Sequence, residues 1–328
     1  MPRVSYVVTI YNKAPYLPYL IEGLANQEGE FEREHIFVND GSTDDSLAVL
    51  RGLAAAWPRV KIIDLPNGGP SLAMNAGLRA ASGDFIKPVD GDDMLVSDAT
   101  GTLLRAIGAT GCPVAYGEGG EYRLDEGVAR AREMASRAWP DRDPVVDGNT
   151  LGTSLRRAQT TPSAWLARAD LVRAVGGCDP GVFIQDYSIE LRLARVARFA
   201  RVPRWVYLAP AAAPGRMSEN AAQTLHDLNL ALARFVEAGR DLPWQARRLA
   251  LRRASGRAWH FARREAGKGY FSRDFGRHLS ALLGLSRGPA AIQATCAVFR
   301  ETGPIRLMPA SLEGVRGQEG MQWSASSN

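Results

Sequence analysis

The sequence predicts an α/β fold: a mostly parallel sheet flanked by helices, followed by a C-terminal helical region. Two observations carry this prediction. Short apolar runs alternate with helix-spaced apolar residues from Val4 to Gly117, joined by short connections. From Ser218 onward the strand signal stops and helical stripes remain, such as Leu225, Leu228, Leu232 and Phe235.

Val4–Ile10 reads as a first strand, apolar enough to be buried on both faces. After the turn Tyr11-Asn12-Lys13 comes a helix with Tyr16, Leu17, Leu20, Ile21 and Leu24 at helical spacing, and Pro15 and Pro18 in its first turn. His35–Asn39 is a second strand ending at Asp40-Gly41-Ser42. Ser42 or Thr43 is expected to cap the next helix, with Asp44 and Asp45 in its first turn. Val60–Leu65 is a third strand, and Ser71–Ala81 a helix of small residues. Phe85, Ile86 and Val89 make a fourth strand, Ser97 to Gly108 a helix, and Pro113–Gly117 a fifth strand.

The pattern then weakens. Glu118–Arg157 is polar and interrupted by Pro140, Pro144 and several glycines, which predicts a loop-rich insertion with one helix near Glu126–Ala138. Order returns with a strand at Ser163–Arg168, helices at Ala169–Val175 and Asp186–Arg198, and a strand at Val202–Leu208. Helical segments around Leu249–Phe261, Phe275–Leu283 and Ile292–Phe299 follow.

Ligands of such sheets bind outside the carboxyl ends of the strands. Strand one offers Thr9, Tyr11 and Asn12 there, strand two Asn39 and Asp40, and strand four Asp90, Asp92 and Asp93. Three carboxylates within four positions repel one another unless a cation sits among them. Their hard oxygens suit Mg²⁺ or Mn²⁺, which also bridge phosphate oxygens. An isolated Asp-x-Asp is otherwise a solvated acidic turn. No Gly-x-Gly-x-x-Gly or Gly-x-x-x-x-Gly-Lys-Ser/Thr follows strand one, so dinucleotide-binding and P-loop readings lose their phosphate cradle.

Composition is that of an ordinary globular protein, 45% hydrophobic and 23% charged, with length for a large core and no need of a staple. Cys112, Cys178 and Cys296 are far apart and lack metal-ligand spacing, so they read as reduced small hydrophobes. The run Val4–Ile10 is too short and polar for a signal peptide, and no run has the length of a membrane-spanning helix. A cytoplasmic location is the expectation. Residues 1–110 carry net charge −5 and residues 221–328 carry +8, nearly all of the latter from arginine. Such a basic region is either a solvated helical face or a surface for an acidic partner. The four histidines, His35, His226, His260 and His278, make no cluster.

Three segments together carry a family likeness: Val7-Val8-Thr9-Ile10-Tyr11-Asn12, then Val38 through Ser46 with Asn39-Asp40-Gly41-Ser42, then Gly83-Asp84-Phe85-Ile86 running to Asp90-Gly91-Asp92-Asp93. In this order and spacing they resemble the family 2 glycosyltransferases of the GT-A fold, over about Val4–Ser218. The resemblance implies inverting transfer of a sugar from a nucleotide-sugar, usually UDP-linked, to a hydroxyl acceptor, assisted by Mg²⁺ or Mn²⁺. Carried over by position, Thr9 and Tyr11 would line the base pocket and Asp40 would accept a hydrogen bond from the base. Asp90 and Asp92 would face ribose and metal-bound diphosphate, with Asp93 sharing the metal. Gly176-Gly177-Cys178-Asp179 followed by Gln185-Asp186 matches the family's late acidic segment and makes Asp186 the expected general base. Arg216 and Ser218 match the loop after the last strand and would contact the diphosphate.

The sequence departs from the family at two places. Gln185 stands where a glutamate usually precedes the aspartate, and a histidine expected near Ala213 is absent. These departures leave open a nucleotide-sugar-binding protein without catalysis. A sugar-phosphate nucleotidyltransferase is the other alternative, but Tyr11-Asn12-Lys13-Ala14 lacks the Gly-rich basic loop that chemistry needs. The resulting division is a catalytic domain over 1–218 (a nucleotide half 1–110 and an acceptor half 111–218), a basic helical region over 219–306, and a disordered tail over 307–328. The acceptor is expected to be a saccharide or lipid-linked saccharide of cell-surface polysaccharide or lipopolysaccharide assembly, and no nucleic-acid partner is expected. The basic helices are expected to permit peripheral association with the inner face of the membrane.

Overall fold

The computed structural model describes residues 1–138, 140, 142–211 and 220–308. Its first half is the predicted alternation. Strands β1 (Arg3–Ile10), β2 (Glu32–Asp40), β3 (Val60–Leu65) and β4 (Phe85–Asp90) lie in the order β3-β2-β1-β4, all parallel. Helices α1 (Leu17–Ala25), α2 (Ser46–Ala54) and α3 (Pro70–Ala80) make the crossovers. Alternation along β1 sends Val4, Tyr6, Val8 and Ile10 into one core layer and Val7 into the layer on the opposite face. Burying each such side chain contributes about 1.5–3 kcal/mol, which fixes β1 at the centre and its carboxyl end at the sheet edge.

Beyond β4 the sheet is mixed rather than mostly parallel. The next elements are β5 (Met94–Leu95), α4 (Ala99–Thr110), β6 (Val114–Tyr122), α5 (Gly127–Ala135), β7 (Val145–Val146) and α6 (Thr150–Arg156). They are followed by β8 (Trp165–Arg168), α7 (Ala169–Ala174), α8 (Asp186–Val196) and β9 (Phe199–Pro210). Strand β8 inserts antiparallel between β4 and β6, β6 runs parallel to β9, and β5 and β7 pair antiparallel with β9. Strands of two to four residues are too short to declare a direction through periodicity. Strand β6 also continues five residues past its expected end at Gly117. Its glycines interrupt the apolar pattern while the ladder to β9 persists through two register shifts.

The start of α2 differs from expectation and matters for the site. The helix begins at Ser46, without a side-chain cap. Ser42 instead accepts a hydrogen bond from the Asn12 amide (3.0 Å), and Asp44 accepts one from the Ala14 amide (3.1 Å). Asn12 in turn accepts from the Thr43 amide (2.8 Å). These polar side chains tie the loops after β1 and β2 together.

The helical region comprises α9 (Ala221–Ala238), α10 (Trp244–Glu265), α11 (Arg273–Leu283), α12 (Gly288–Gln293) and α13 (Ala297–Glu301). It shares a core with the sheet-bearing part, where Leu232, Phe235 and Ala254 pack with Leu155, Tyr187 and Leu191 of α6 and α8. Among the described residues no helix is long and apolar enough to cross a membrane. The three cysteines are buried and free.

One backbone approach shapes the sheet edge. A Cβ added at Gly91 would lie 2.8 Å from the carbonyl oxygen of Thr9. Gly91→Ala is therefore expected to destabilise the protein by about 1–3 kcal/mol, seen as a lower urea midpoint; an unchanged midpoint would contradict the close approach.

Candidate active site

A cavity of about 460 Å³ opens at the carboxyl edge of the parallel strands. Pairing of β1 with β4 puts Thr9 beside Asp90, and pairing of β1 with β2 puts Ile10 beside Asn39, one residue before Asp40. The cavity is lined by Thr9, Tyr11, Asp40, Asp90, Asp92 and Asp93 from this edge, and by Asp186 from the start of α8. The structure thus gathers seven of the nine site residues that the sequence singles out. The other two, Arg216 and Ser218, and the position of the absent histidine near Ala213, lie outside the described residues, as does 309–328 of the expected tail.

The acids are held individually. The Asp90 amide donates to Ser163 Oγ (2.9 Å), and the Asp93 amide donates to the Asp90 carbonyl (3.0 Å). The Asp92 carbonyl accepts from the Tyr122 hydroxyl (2.8 Å), while its side chain meets Lys13 Nζ at 2.5 Å. Below them lies Lys87, fully buried in β4, donating to the Ser163 carbonyl (2.5 Å). Removing these groups from water raises the cost of charge, and the neighbouring acids add to it. Burial first, then Asp92 and Asp186, push Asp90 up to about 7, against the opposing charges of Lys13 and Lys87. Asp93 is also raised well above the ordinary carboxylate range, by burial and then by Asp90 and Asp92. Burial lowers Lys87 to about 7.

This donor set fits a divalent cation of the Mg²⁺ class. Among the described residues no group of three or more His, Cys, Asp or Glu side chains forms a ready cage. Mg²⁺ typically needs none, since one or two carboxylates and the phosphates of a substrate complete its shell. Asp90 and Asp92 line the same cavity and would offer such a pair of oxygen ligands. Asp93 is only 5% exposed and hydrogen-bonded to Ser163, which suits it better to orienting the pair.

At the other end, Asp40 accepts the amides of Gly68 (2.8 Å) and Gly69 (2.9 Å). Burial raises its pKa, opposed by these two amides and by the charge of Arg306. Tyr11 is 44% exposed at the mouth. Asp186 opens α8 and accepts its neighbour's amide, from Tyr187, at 2.7 Å. Burial raises its pKa, and Asp227 adds to the shift. The preceding loop is pinned from the helical region, where Asp227 accepts the Ile184 amide (3.1 Å). Gln185 lines the cavity, and its Oε1 is buried with no hydrogen-bond partner among the described residues.

Sequence reasoning missed three contributors. Lys13 directly follows the first motif, and its charge two positions after Tyr11 was the available signal. Phe183 and Arg306 reach the cavity through tertiary packing alone.

A parallel first half, a mixed second half and acids gathered at the strand ends are the architecture of the GT-A fold. Residues 5–163 match the family model described as glycosyl transferase family 2. The chain is 38% identical over 212 residues to a chondroitin synthase and, equally, to a hyaluronan synthase of Pasteurella multocida. Each match covers 63% of this chain, and the chain spans only 20% of those relatives. Staphylococcus aureus TarS (residues 1–349), solved with UDP-GlcNAc, superposes with a TM-score of 0.60, covering 93% of both chains at 16% identity. The mannosyltransferase PcManGT of Pyrobaculum calidifontis, solved with GDP-Man and Mn²⁺, gives a TM-score of 0.55 at 16% identity, over 92% of this chain and 86% of its own. At such identities these likenesses speak for the fold.

Proposed function

We propose that the chain transfers a sugar from a nucleotide-sugar, a UDP-sugar in the first instance, to a hydroxyl acceptor with inversion at the anomeric carbon. The observation that carries this reading is one cavity holding both the Asp90/Asp92 pair and Asp186. The donor's base would lie toward Thr9, Tyr11 and Asp40, and its diphosphate toward Asp90 and Asp92. Asp90 and Asp92 would hold Mg²⁺ or Mn²⁺, which when bound neutralises charge on the leaving nucleoside diphosphate. Asp93 would orient the pair, and Arg216 and Ser218 would meet the diphosphate.

Asp186 would take the proton of the acceptor hydroxyl as its oxygen bonds to the anomeric carbon. The bond from that carbon to the phosphate oxygen breaks in the same displacement, and the nucleoside diphosphate leaves with the electron pair. Burial raises Asp186 from the ordinary range, which strengthens it as a base. The test is donor consumption across a panel of UDP-, GDP-, CDP- and ADP-sugars with Mn²⁺ and saccharide acceptors. Turnover of one donor class supports the reading, whereas binding without turnover would favour a non-catalytic nucleotide-sugar-binding protein.

The chain divides into a catalytic domain over 1–218 and a basic helical region over 219–306. A growing polysaccharide is the acceptor that the named activities of the two Pasteurella relatives suggest. A peripheral membrane contact is supported by α11 and the turn after it, where Leu279, Leu282, Leu283 and Leu285 are exposed within a region of net positive charge. Flotation with anionic liposomes is expected to carry the protein at low salt and release it at high salt. Absence of flotation at both would remove the membrane role.

A further inference from the structure

We propose that Arg306, delivered by the segment after α13, completes the subsite that reads the donor's base, and that this subsite selects uracil. The inference rests on the nucleotide-sugar reading above and goes beyond it by naming the residues that discriminate among bases.

The position of Arg306 is built from within the helical region. Its amide donates to Gln223 Oε1 (2.7 Å), and its carbonyl accepts from Gln223 Nε2 (3.1 Å). Gln223 is 5% exposed and also donates to Asp227 Oδ2 (3.0 Å). Asp227 is in turn joined to His226 Nδ1 at 2.8 Å. Arg300 donates to Nε2 of the same ring (3.2 and 3.3 Å). A guanidinium can only donate, so His226 is neutral and carries its proton on Nδ1, facing Asp227. A buried chain of hydrogen bonds on α9 therefore fixes both the Arg306 backbone and, through Asp227, the loop before Asp186.

The side chain then turns into the cavity. Its guanidinium lies 4.7 Å from the centre of the Phe183 ring, and Nη2 donates to the Asn67 carbonyl (3.3 Å) and to Asn67 Oδ1. These contacts occupy one nitrogen of a group with five donors. The Phe183 ring itself has room only because residue 69 is glycine. With φ of +95° there, an added Cβ would lie 2.7 Å from that ring.

Asn67 supplies the second donor. With Arg306 on Oδ1, the amide nitrogen Nδ2 is the remaining end, and it is buried without a hydrogen-bond partner among the described residues. A buried donor left unpaired is costly and fits an arriving acceptor. Beside these donors stands Asp40, an acceptor, with each of its oxygens already receiving one backbone amide.

Two donors and one acceptor match uracil, whose N3–H stands between two carbonyl oxygens. Cytosine would set an unprotonated N3 against Asp40 and an amino group against a donor. Adenine presents no carbonyl. Guanine asks for two adjacent acceptors, while both Asp40 oxygens are partly used. A site built to hydrogen-bond one pattern rejects another because its buried polar groups are left unpaired.

The test is calorimetric titration of the full chain with UDP, GDP, CDP and ADP in Mn²⁺, for the wild type, Arg306→Ala and Asn67→Ala. UDP is expected to bind at least about 10-fold more tightly than the other three, the effect of one charged hydrogen bond. Each substitution is expected to weaken UDP by about 10-fold and to narrow the UDP-to-CDP ratio. Equal weakening of all four nucleotides would overturn the proposal, because a merely structural role has no preference among bases. An unchanged UDP affinity in Arg306→Ala, or tighter binding of GDP in the wild type, would overturn it as well. If the wild type binds none of the four, the nucleotide-sugar reading itself fails and takes this inference with it.

Discussion

Asp186→Asn is expected to lower the rate of sugar transfer by about 10²–10⁴-fold, the usual contribution of a positioned general base, while leaving UDP affinity within about 2-fold. The substitution keeps the shape of the side chain and the acceptor for the Tyr187 amide, so α8 should start as before. It removes only the ability to take a proton. The effect belongs in kcat, because the carboxylate is needed as the acceptor oxygen bonds to carbon and not when the donor binds. The pH profile should change with it. Asp186 is raised by burial, so in the wild type activity should fall on the acid side at a pH above the ordinary carboxylate range, as the base becomes protonated. Stopped assays of donor consumption, paired with UDP titration, separate the two quantities. Equal loss of binding and turnover would mean that Asp186 holds the donor site together rather than acting on the acceptor.

Asp92→Ala is expected to abolish the Mn²⁺ dependence of nucleotide binding and to reduce kcat/KM by about 100-fold or more. Metal stabilisation of a leaving phosphate is worth several kcal/mol, and each 1.4 kcal/mol is about tenfold. Asp92 is the informative choice because it bonds Lys13 through its side chain. Removing it also frees a lysine charge at the same point, so partial activity without added metal would indicate that Lys13 takes over some phosphate neutralisation. Proton competition gives an independent check. Asp90 is pushed up to about 7, so below that pH a cation must displace a proton to use it. Mn²⁺ should therefore raise the melting temperature more at pH 8 than at pH 5.5 in the wild type, and at neither pH in Asp92→Ala. A larger shift at pH 5.5 would have the wrong sign for metal binding at Asp90.

The parallel half of the fold was legible because β1 and β2 are long and buried on both faces. Val4–Ile10 announces itself as a run of apolar residues, and the acids that follow β4 stand next to it in sequence. The site residues on this edge, Thr9, Tyr11, Asp40, Asp90 and Asp92, inherit their positions from strand order alone, so a correct order brings them together. The second half was less legible for a physical reason. Strand β8 has four residues and β5 and β7 have two each, and their directions are set by partners, not by local pattern. The cap assigned to Ser42 or Thr43 misread polar residues whose hydrogen bonds run to the loop after β1. Arg306 carried no sequence signal, since its place depends on a buried glutamine 83 residues away.

Inverting transfer at the Asp90/Asp92/Asp186 cavity is the proposed reaction. Its most direct measurement is the anomeric configuration of the first sugar released from an α-linked UDP-sugar in Mn²⁺, followed by proton NMR before mutarotation, with water or a saccharide as acceptor. A single displacement assisted by Asp186 predicts the β product first. An α product appearing first would rule out this single displacement, because it requires either two displacements or attack from the face of the departing diphosphate.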